Sequence, residues 1–147
     1  MADAQRRADA VWTGSLAQGF GEVTLLSSGA AGPLAVTWAS RTERSDGKTS
    51  PEELVAAAHA SCYCMALSHI LGENGTPPEK LEARATVTFA PIEGGFKVAS
   101  SALTVTATVP GIDEAGFKEA AEAAKDCCPI SGALKGNVEL SVKATLA

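Results

Sequence analysis

Apolar and polar residues alternate along two long segments of the chain. "LEARATVTFA" (81–90) and "FKVASSALTVTATV" (96–109) do so on either side of "PIEGG", a pattern that predicts a β-hairpin. In the second segment Leu103, Val105, Ala107 and Val109 share one face, with Thr104, Thr106 and Thr108 on the other. The last segment, "NVELSVKATL" (137–146), repeats the period and predicts a strand with Val138, Leu140, Val142 and Ala144 facing inward. Nearer the N-terminus, "GEVTLL" and "LAVTWAS" flank the turn-rich "SSGAAGP" and predict another hairpin. Trp12 lies in a partly alternating run that Gly14 closes.

Helical signals interrupt these strands twice. In "SPEELVAAAHASCYCMALSHIL" (50–71), Ser50 suits the N-cap and Pro51 the first helical position. Glu53 would complete a capping box with Ser50, and Gly72 marks the end. This helix is apolar on nearly every face, which predicts a central position buried on most sides. Asp113 would cap a second helix over 114–126. Pro129 disfavours helical geometry at Cys128 and can start a short turn at 129–135. The polar stretch "RTERSDGK" reads as a loop, and no repeat or linker is visible. The order of strands and helices predicts an α+β fold in a single domain over 1–147.

Composition narrows the classes of function. A chain of 147 residues, 46% hydrophobic and 20% charged, suits one soluble domain with a sizeable core. A net charge of −5 argues against nonspecific nucleic-acid binding and against acidic lipid surfaces, since both need clustered Lys and Arg. "MADAQRRADAVWTG" lacks the apolar core of a signal peptide, and the apolar run 54–67 is too short to span a bilayer. The expectation is a cytoplasmic protein with reduced thiols, in which a disulfide would be transient and catalytic.

The four cysteines form two clusters, Cys62 with Cys64 and Cys127 with Cys128. On a helix Cys62 and Cys64 point about 200° apart, so at most one of them can join the second cluster. Cys62 shares the direction of Leu54, Ala58 and Met65 and follows His59 by about one turn, which makes it the candidate. Cys128 holds an N-cap-like position before Pro129, where backbone N–H groups favour a thiolate; Cys127 could substitute for it. The spacings do not fit the Cys-x₂₋₄-Cys pairs of structural zinc sites, so no metal is expected. On spacing alone the opposing reading stays open: four buried cysteines acting as small apolar filler.

"TSPEELVAAAHASCYCMALS", "AKDCCPIS" and "VPGID" together resemble the family of osmotically inducible protein C and organic hydroperoxide resistance protein (OsmC/Ohr), and most closely its OsmC branch. The resemblance covers most of the chain, from "WTG" to the final strand. It implies antiparallel sheets packed around a long central helix in an intertwined homodimer, with active sites at the subunit interface. It also implies a thiol-dependent peroxidase that needs no cofactor beyond an external dithiol reductant. Cys62 matches the peroxidatic cysteine, Cys128 the resolving one, and Glu52 the glutamate of "PEE". Arg41, at the end of "VTWASR", matches the arginine that pairs with that glutamate. Cys64 and Cys127 are additional to the family's motif cysteines, and the loop "RTERSDGKTSPEE" is about one residue longer than its pattern and offers Arg44 as well as Arg41.

Chemistry constrains any such site. A thiolate, not a thiol, attacks a peroxide, and an apolar environment holds a thiol protonated. A cation must therefore reach Cys62. An arginine held by Glu52 through a two-pronged fork is suited to this, and neutral His59 reads instead as a hydrogen-bonded packing residue. Glu52 and Cys62 lie about 15 Å apart along one helix. Either the helix breaks, the arginine bridges the gap, or one residue comes from another subunit.

The expected cycle takes an organic hydroperoxide to its alcohol, through a Cys62 sulfenic acid and a Cys62–Cys128 disulfide that a dithiol or dithiol protein reduces. The apolar surroundings of Leu54 and Met65 would favour alkyl or lipid hydroperoxides. The alternative is an OsmC-like scaffold that binds a hydrophobic ligand or partner with little peroxidase activity. Thiol–disulfide exchange with protein substrates is the third reading, although Cys-x-x-Cys is lacking.

Overall fold

Both predicted hairpins form, in separate sheets, in a computed structural model that describes residues 2–147. In chain order the elements are β1 (Asp9–Thr13), β2 (Phe20–Thr24), β3 (Leu34–Val36), α1 (Trp38–Thr42), α2 (Pro51–Glu73), β4 (Lys80–Ile92), β5 (Gly95–Thr108), α3 (Glu114–Cys127), α4 (Pro129–Leu134) and β6 (Glu139–Leu146). The class is α+β, as expected. The chain divides into two compact units, the first ending at Glu53 and the second running from Leu54 to Ala147.

The first unit carries the antiparallel sheet β1-β2-β3, with Trp12 opposite Gly21 and Gly21 opposite Val36. A Cβ on Gly21 would stand 2.7 Å from the Trp12 ring and 2.9 Å from Val36 Cγ2, so the absent side chain lets the indole lie across the strand. After β3 the chain departs from expectation. "LAVTWAS" reads as strand throughout, yet Trp38 opens α1. The cause is a capping box: Thr37 Oγ1 accepts the Ser40 N–H at 3.0 Å, and Ser40 Oγ accepts the Thr37 N–H at 3.0 Å.

A tie then closes the loop that follows. The Thr49 N–H donates to the Ala35 carbonyl at 2.9 Å, and Thr49 bridges Val36 in parallel. Ser40 Oγ donates to the Thr49 carbonyl at 3.0 Å. At the start of α2 the Glu53 N–H donates to Ser50 Oγ at 3.1 Å, the expected N-cap bond. The reciprocal half of that capping box is replaced, because the Glu53 carboxylate accepts the Thr49 hydroxyl at 2.6 Å.

α2 runs 23 residues without a break. Gly72 lies inside its last turn rather than beyond it, and the reversal falls to Gly75, at φ +79°, with the Thr76 N–H donating to the Leu71 carbonyl at 2.9 Å. The helix is longer than the apolar run 54–67. With a mean hydropathy of 1.5, it is long and apolar enough to cross a bilayer by length and composition alone.

Burial on most sides is not what the helix shows. His59, Tyr63, Leu67 and Leu71 form one fully buried stripe four residues apart, while Ala57, Ala58, Ser61, Met65 and Ser68 are exposed. A single sheet with its crossover helices offers packing partners to one side only.

In the second unit β4 and β5 form the predicted hairpin, with Ile92 opposite Gly95 and Gly94 at φ +80° in the turn. The core gathers Tyr63, Leu67 and Leu71 with Leu103, Val105 and Ala107 of β5 and Phe117, Ala120 and Ala124 of α3. β6 keeps the predicted inward face, but it pairs with β5 in parallel, so this sheet is mixed. A parallel neighbour requires a crossover, and α3 and α4 supply it. Asp113 caps α3 as expected, its Oδ1 accepting the Gly116 N–H at 2.8 Å.

Candidate active site

The first unit holds the predicted ion pair. Arg41, in the last turn of α1, donates from Nε to both Glu52 carboxylate oxygens at 3.1 Å and from Nη2 to Oε1 at 2.8 Å. This is the fork that fixes a guanidinium in direction as well as place. Glu52 is only 7% exposed, and the Arg41 guanidinium lies 6.0 Å from the Trp38 ring centre. Of the two arginines, Arg41 is the one that pairs with Glu52. Arg44 faces Asp46 at 3.8 Å, with both side chains largely in solvent, a geometry worth little. Around Arg41, Trp12, Leu16, Val36, Trp38 and Pro51 line an apolar cavity of about 350 Å³.

The second unit holds the thiols. Cys62, on α2, packs against the core cluster that contains Cys128, and the two thiols act on each other. Cys64 points away, toward Ala83 of β4, as helical geometry predicts. Cys127 closes α3 and is exposed, its thiol directed at the Ala124 carbonyl at 3.8 Å. Cys128 is 1% exposed and occupies the N-cap of α4, with extended φ/ψ and Pro129 at the first helical position. The two clusters thus come together through Cys62 and Cys128. Among the described residues no group of three or more His, Cys, Asp or Glu could hold a metal ion.

The two thiols titrate in opposite directions. Burial raises Cys62, and its hydrogen bond with Cys128 and the nearby charges of Cys128 and Cys127 raise it further, against the Ile130 N–H. Burial also acts to raise Cys128. There it is outweighed by the Ser131 N–H, the Cys62 thiol, the Ser131 hydroxyl and the Ile130 N–H, so Cys128 falls below the usual thiol range. Charge in this pair therefore settles on Cys128. Met65 is 72% exposed, so it does not form the apolar wall expected beside Cys62.

His59 is the hydrogen-bonded packing residue that the sequence suggests, but its two partners escaped the sequence reading. His59 Nδ1 meets Ser101 Oγ at 2.7 Å and Nε2 meets Ser131 Oγ at 2.8 Å, and all three side chains are buried. The only sequence signal was Ser101, which continues the inward face of Leu103, Val105 and Ala107 with a polar residue. Burial holds the His59 imidazole below the usual histidine range, which keeps it neutral.

Comparison with known proteins identifies the family and the fold. The OsmC-like protein family matches residues 44–143. The peroxiredoxin OsmC of Escherichia coli (strain K12) is 37% identical over 135 residues, covering 92% of this chain and 93% of that protein. The organic hydroperoxide resistance protein OhrB of Bacillus subtilis (strain 168) is 30% identical over 96 residues, 65% of this chain and 68% of that one. The crystal structure of OhrB superposes with a TM-score of 0.75 at 27% identity, over 95% of this chain and 98% of that chain. An OsmC-like protein from Mycoplasma pneumoniae shares the fold at 17% identity, with a TM-score of 0.74 over 99% of each chain. This chain belongs to the OsmC-like family.

Proposed function

We propose that the protein is a cysteine-dependent peroxidase that reduces organic hydroperoxides to alcohols. The observation that carries the reading is the meeting of Cys62 and Cys128, one partly accessible and the other buried with its thiolate stabilised. The names of the relatives, a peroxiredoxin and organic hydroperoxide resistance proteins, support the same chemistry.

Access assigns the roles. The Cys62 thiolate attacks the outer peroxide oxygen; the S–O bond forms, the O–O bond breaks, and the alkoxide leaves and takes a proton as the alcohol. The Cys128 thiolate then attacks the Cys62 sulfur; the S–S bond forms, and hydroxide leaves as water. An external dithiol returns both thiols by two exchange steps and is itself oxidised to a disulfide.

The first step needs a cation at Cys62, because burial holds that thiol protonated. Arg41 is the suitable group, held by Glu52. With α2 unbroken, one of the three routes to the thiol disappears. We assign the Arg41–Glu52 pair that serves each Cys62 to a second copy of the chain. The exposed row of Ala58, Ser61, Met65 and Ser68 along α2 supports an intertwined homodimer, since residues three and four apart form the seam of a helix pair.

Mass spectrometry after one equivalent of cumene hydroperoxide tests the reading. A Cys62–Cys128 disulfide is expected in the wild type and a trapped Cys62 sulfenate in Cys128→Ser. Persisting peroxide with Cys62 still reduced sinks it. The cavity around Trp12, Leu16 and Trp38 favours a second reading, the binding of an apolar ligand without turnover. Saturable binding of a long-chain alcohol by a chain that leaves peroxide intact would select it.

A further inference from the structure

The cluster around His59 has no role in the cycle above, yet it joins the two segments that carry its thiols. His59 precedes Cys62 on α2 by about one turn, and Ser131 follows Cys128 by three residues in α4. His59 Nε2 meets Ser131 Oγ at 2.8 Å, which bridges α2 to α4 directly. On the other side of the ring, Nδ1 meets Ser101 Oγ of β5 at 2.7 Å, so the imidazole is held at both nitrogens. His59 and Ser101 are 0% exposed and Ser131 is 2% exposed. No substrate reaches either hydroxyl, which excludes a serine nucleophile and leaves position as what the cluster controls.

α4 depends on this attachment. It has six residues, too few to hold a place by helical stability alone. Its single buried residue is Ser131, a polar one, and Ile130 packs only partly against the core. Cys128 is the N-cap of this helix, and the Gly132 N–H donates to the Cys128 carbonyl at 2.9 Å, so the cysteine and α4 move as a unit. α3 sets where α4 starts, through the Cys128 N–H bond to the Ala124 carbonyl at 2.9 Å. The His59 bond sets how α4 lies against α2. Cys62 packs against the core cluster that includes Cys128, and a disulfide tolerates little error in the placing of its two residues.

We propose that His59 is a positioning residue for the Cys62–Cys128 disulfide: its bond to Ser131 clamps α4 on α2 and holds Cys128 within bonding reach of Cys62. The clamp acts through the backbone of α4 and touches neither sulfur. Its use in turnover rests on the function proposed above; the geometry it imposes on the two cysteines does not.

Equilibration with glutathione, without peroxide, tests it. Cys62 and Cys128 form one S–S bond as that of oxidised glutathione breaks, and the electron pair and both protons end on two reduced glutathiones. Peptide mapping over a range of glutathione ratios gives the equilibrium constant of the Cys62–Cys128 disulfide. Ser131→Ala and His59→Leu should each lower that constant by about tenfold, the worth of one buried hydrogen bond. The double variant should fall no further than either single one, because both remove the same bond, and Ser131→Thr should restore the constant. Ser131→Ala removes one oxygen atom and decides the matter alone should His59→Leu not fold. An unchanged constant in Ser131→Ala, or additive losses in the double variant, overturns the clamp while leaving turnover of hydroperoxide intact. A chain that forms the disulfide with glutathione but leaves hydroperoxide unconsumed fails the preceding reading alone. A wild type that forms no such disulfide at any ratio overturns both.

Discussion

Arg41 and Glu52 are joined by three donor–acceptor contacts between 2.8 and 3.1 Å, and the carboxylate is the more buried partner. Lysine cannot reproduce that fork, since an ammonium is a point donor. Arg41→Lys and Glu52→Gln should each lower kcat/KM for cumene hydroperoxide by about tenfold to a hundredfold. Arg44→Ala should leave it unchanged, and steady-state assays of the three variants check the ranking.

The exposed row on α2 gives a second expectation. Met65→Glu and Ala58→Glu would each bring an unpaired charge into a helix seam, a change that disfavours association strongly. Sedimentation equilibrium should find monomers, and those monomers should lack peroxidase activity. A fully active monomer would refute a site completed by a second copy.

Cys64 points toward Ala83, and the exposed Cys127 thiol is directed at the Ala124 carbonyl and not at Cys62 or Cys128. Cys64→Ser and Cys127→Ser, near-isosteric changes at thiols that take no part in the proposed disulfide, should therefore turn over hydroperoxide within about twofold of the wild type. Loss of turnover in Cys127→Ser would move the resolving role to that residue.

Stability should depend on pH through His59. Its folded imidazole titrates below the ordinary value, so the unfolded chain binds the proton more readily. The sign follows: the contribution is complete above about pH 6.5 and is lost as pH falls below that toward the folded value. Urea denaturation at pH 7.5 and 5.5 should show a smaller loss of stability in His59→Gln than in the wild type. An equal loss would place the pH dependence in the carboxylates.

Selectivity offers a further check. The mainly apolar cavity beside Arg41 suits an alkyl or aryl group, which hydrogen peroxide lacks. Catalytic efficiency on cumene hydroperoxide should exceed that on hydrogen peroxide by at least about tenfold, the worth of a small apolar group in a pocket. The opposite preference would refute the apolar-pocket reading.

Much of the fold was legible because it is local. The alternation of Leu103 through Val109 fixed the buried face of β5, and Asp113 and Pro129 marked the starts of α3 and α4. α1 was missed because "LAVTWAS" alternates like a strand, while the signal against it, Thr37 followed three residues later by Ser40, is two side chains long. Burial of α2 was overread, since an apolar surface says that something covers it, not that the same chain does. Arg41 and Glu52 were found through their motif, and the distance between Cys62 and Cys128 in sequence carried no hint of contact. Least legible was His59 with Ser131, 72 residues apart, because a serine in a short turn announces no partner.

The tie at Thr49 has a consequence for engineering. Ser40, Ala35 and Val36 hold Thr49 in place, so the Arg41–Glu52 pair is fixed by the two ends of the intervening loop and not by its contents. Residues 43–48 hang outside that tie, with Gly47 at φ +76° and open space around it. Lengthening an exposed loop carries only a small closure cost. An epitope or fluorophore-bearing peptide inserted between Arg44 and Gly47 should leave the carboxylate and guanidinium where they are, which makes this loop the place to label the protein without touching its chemistry.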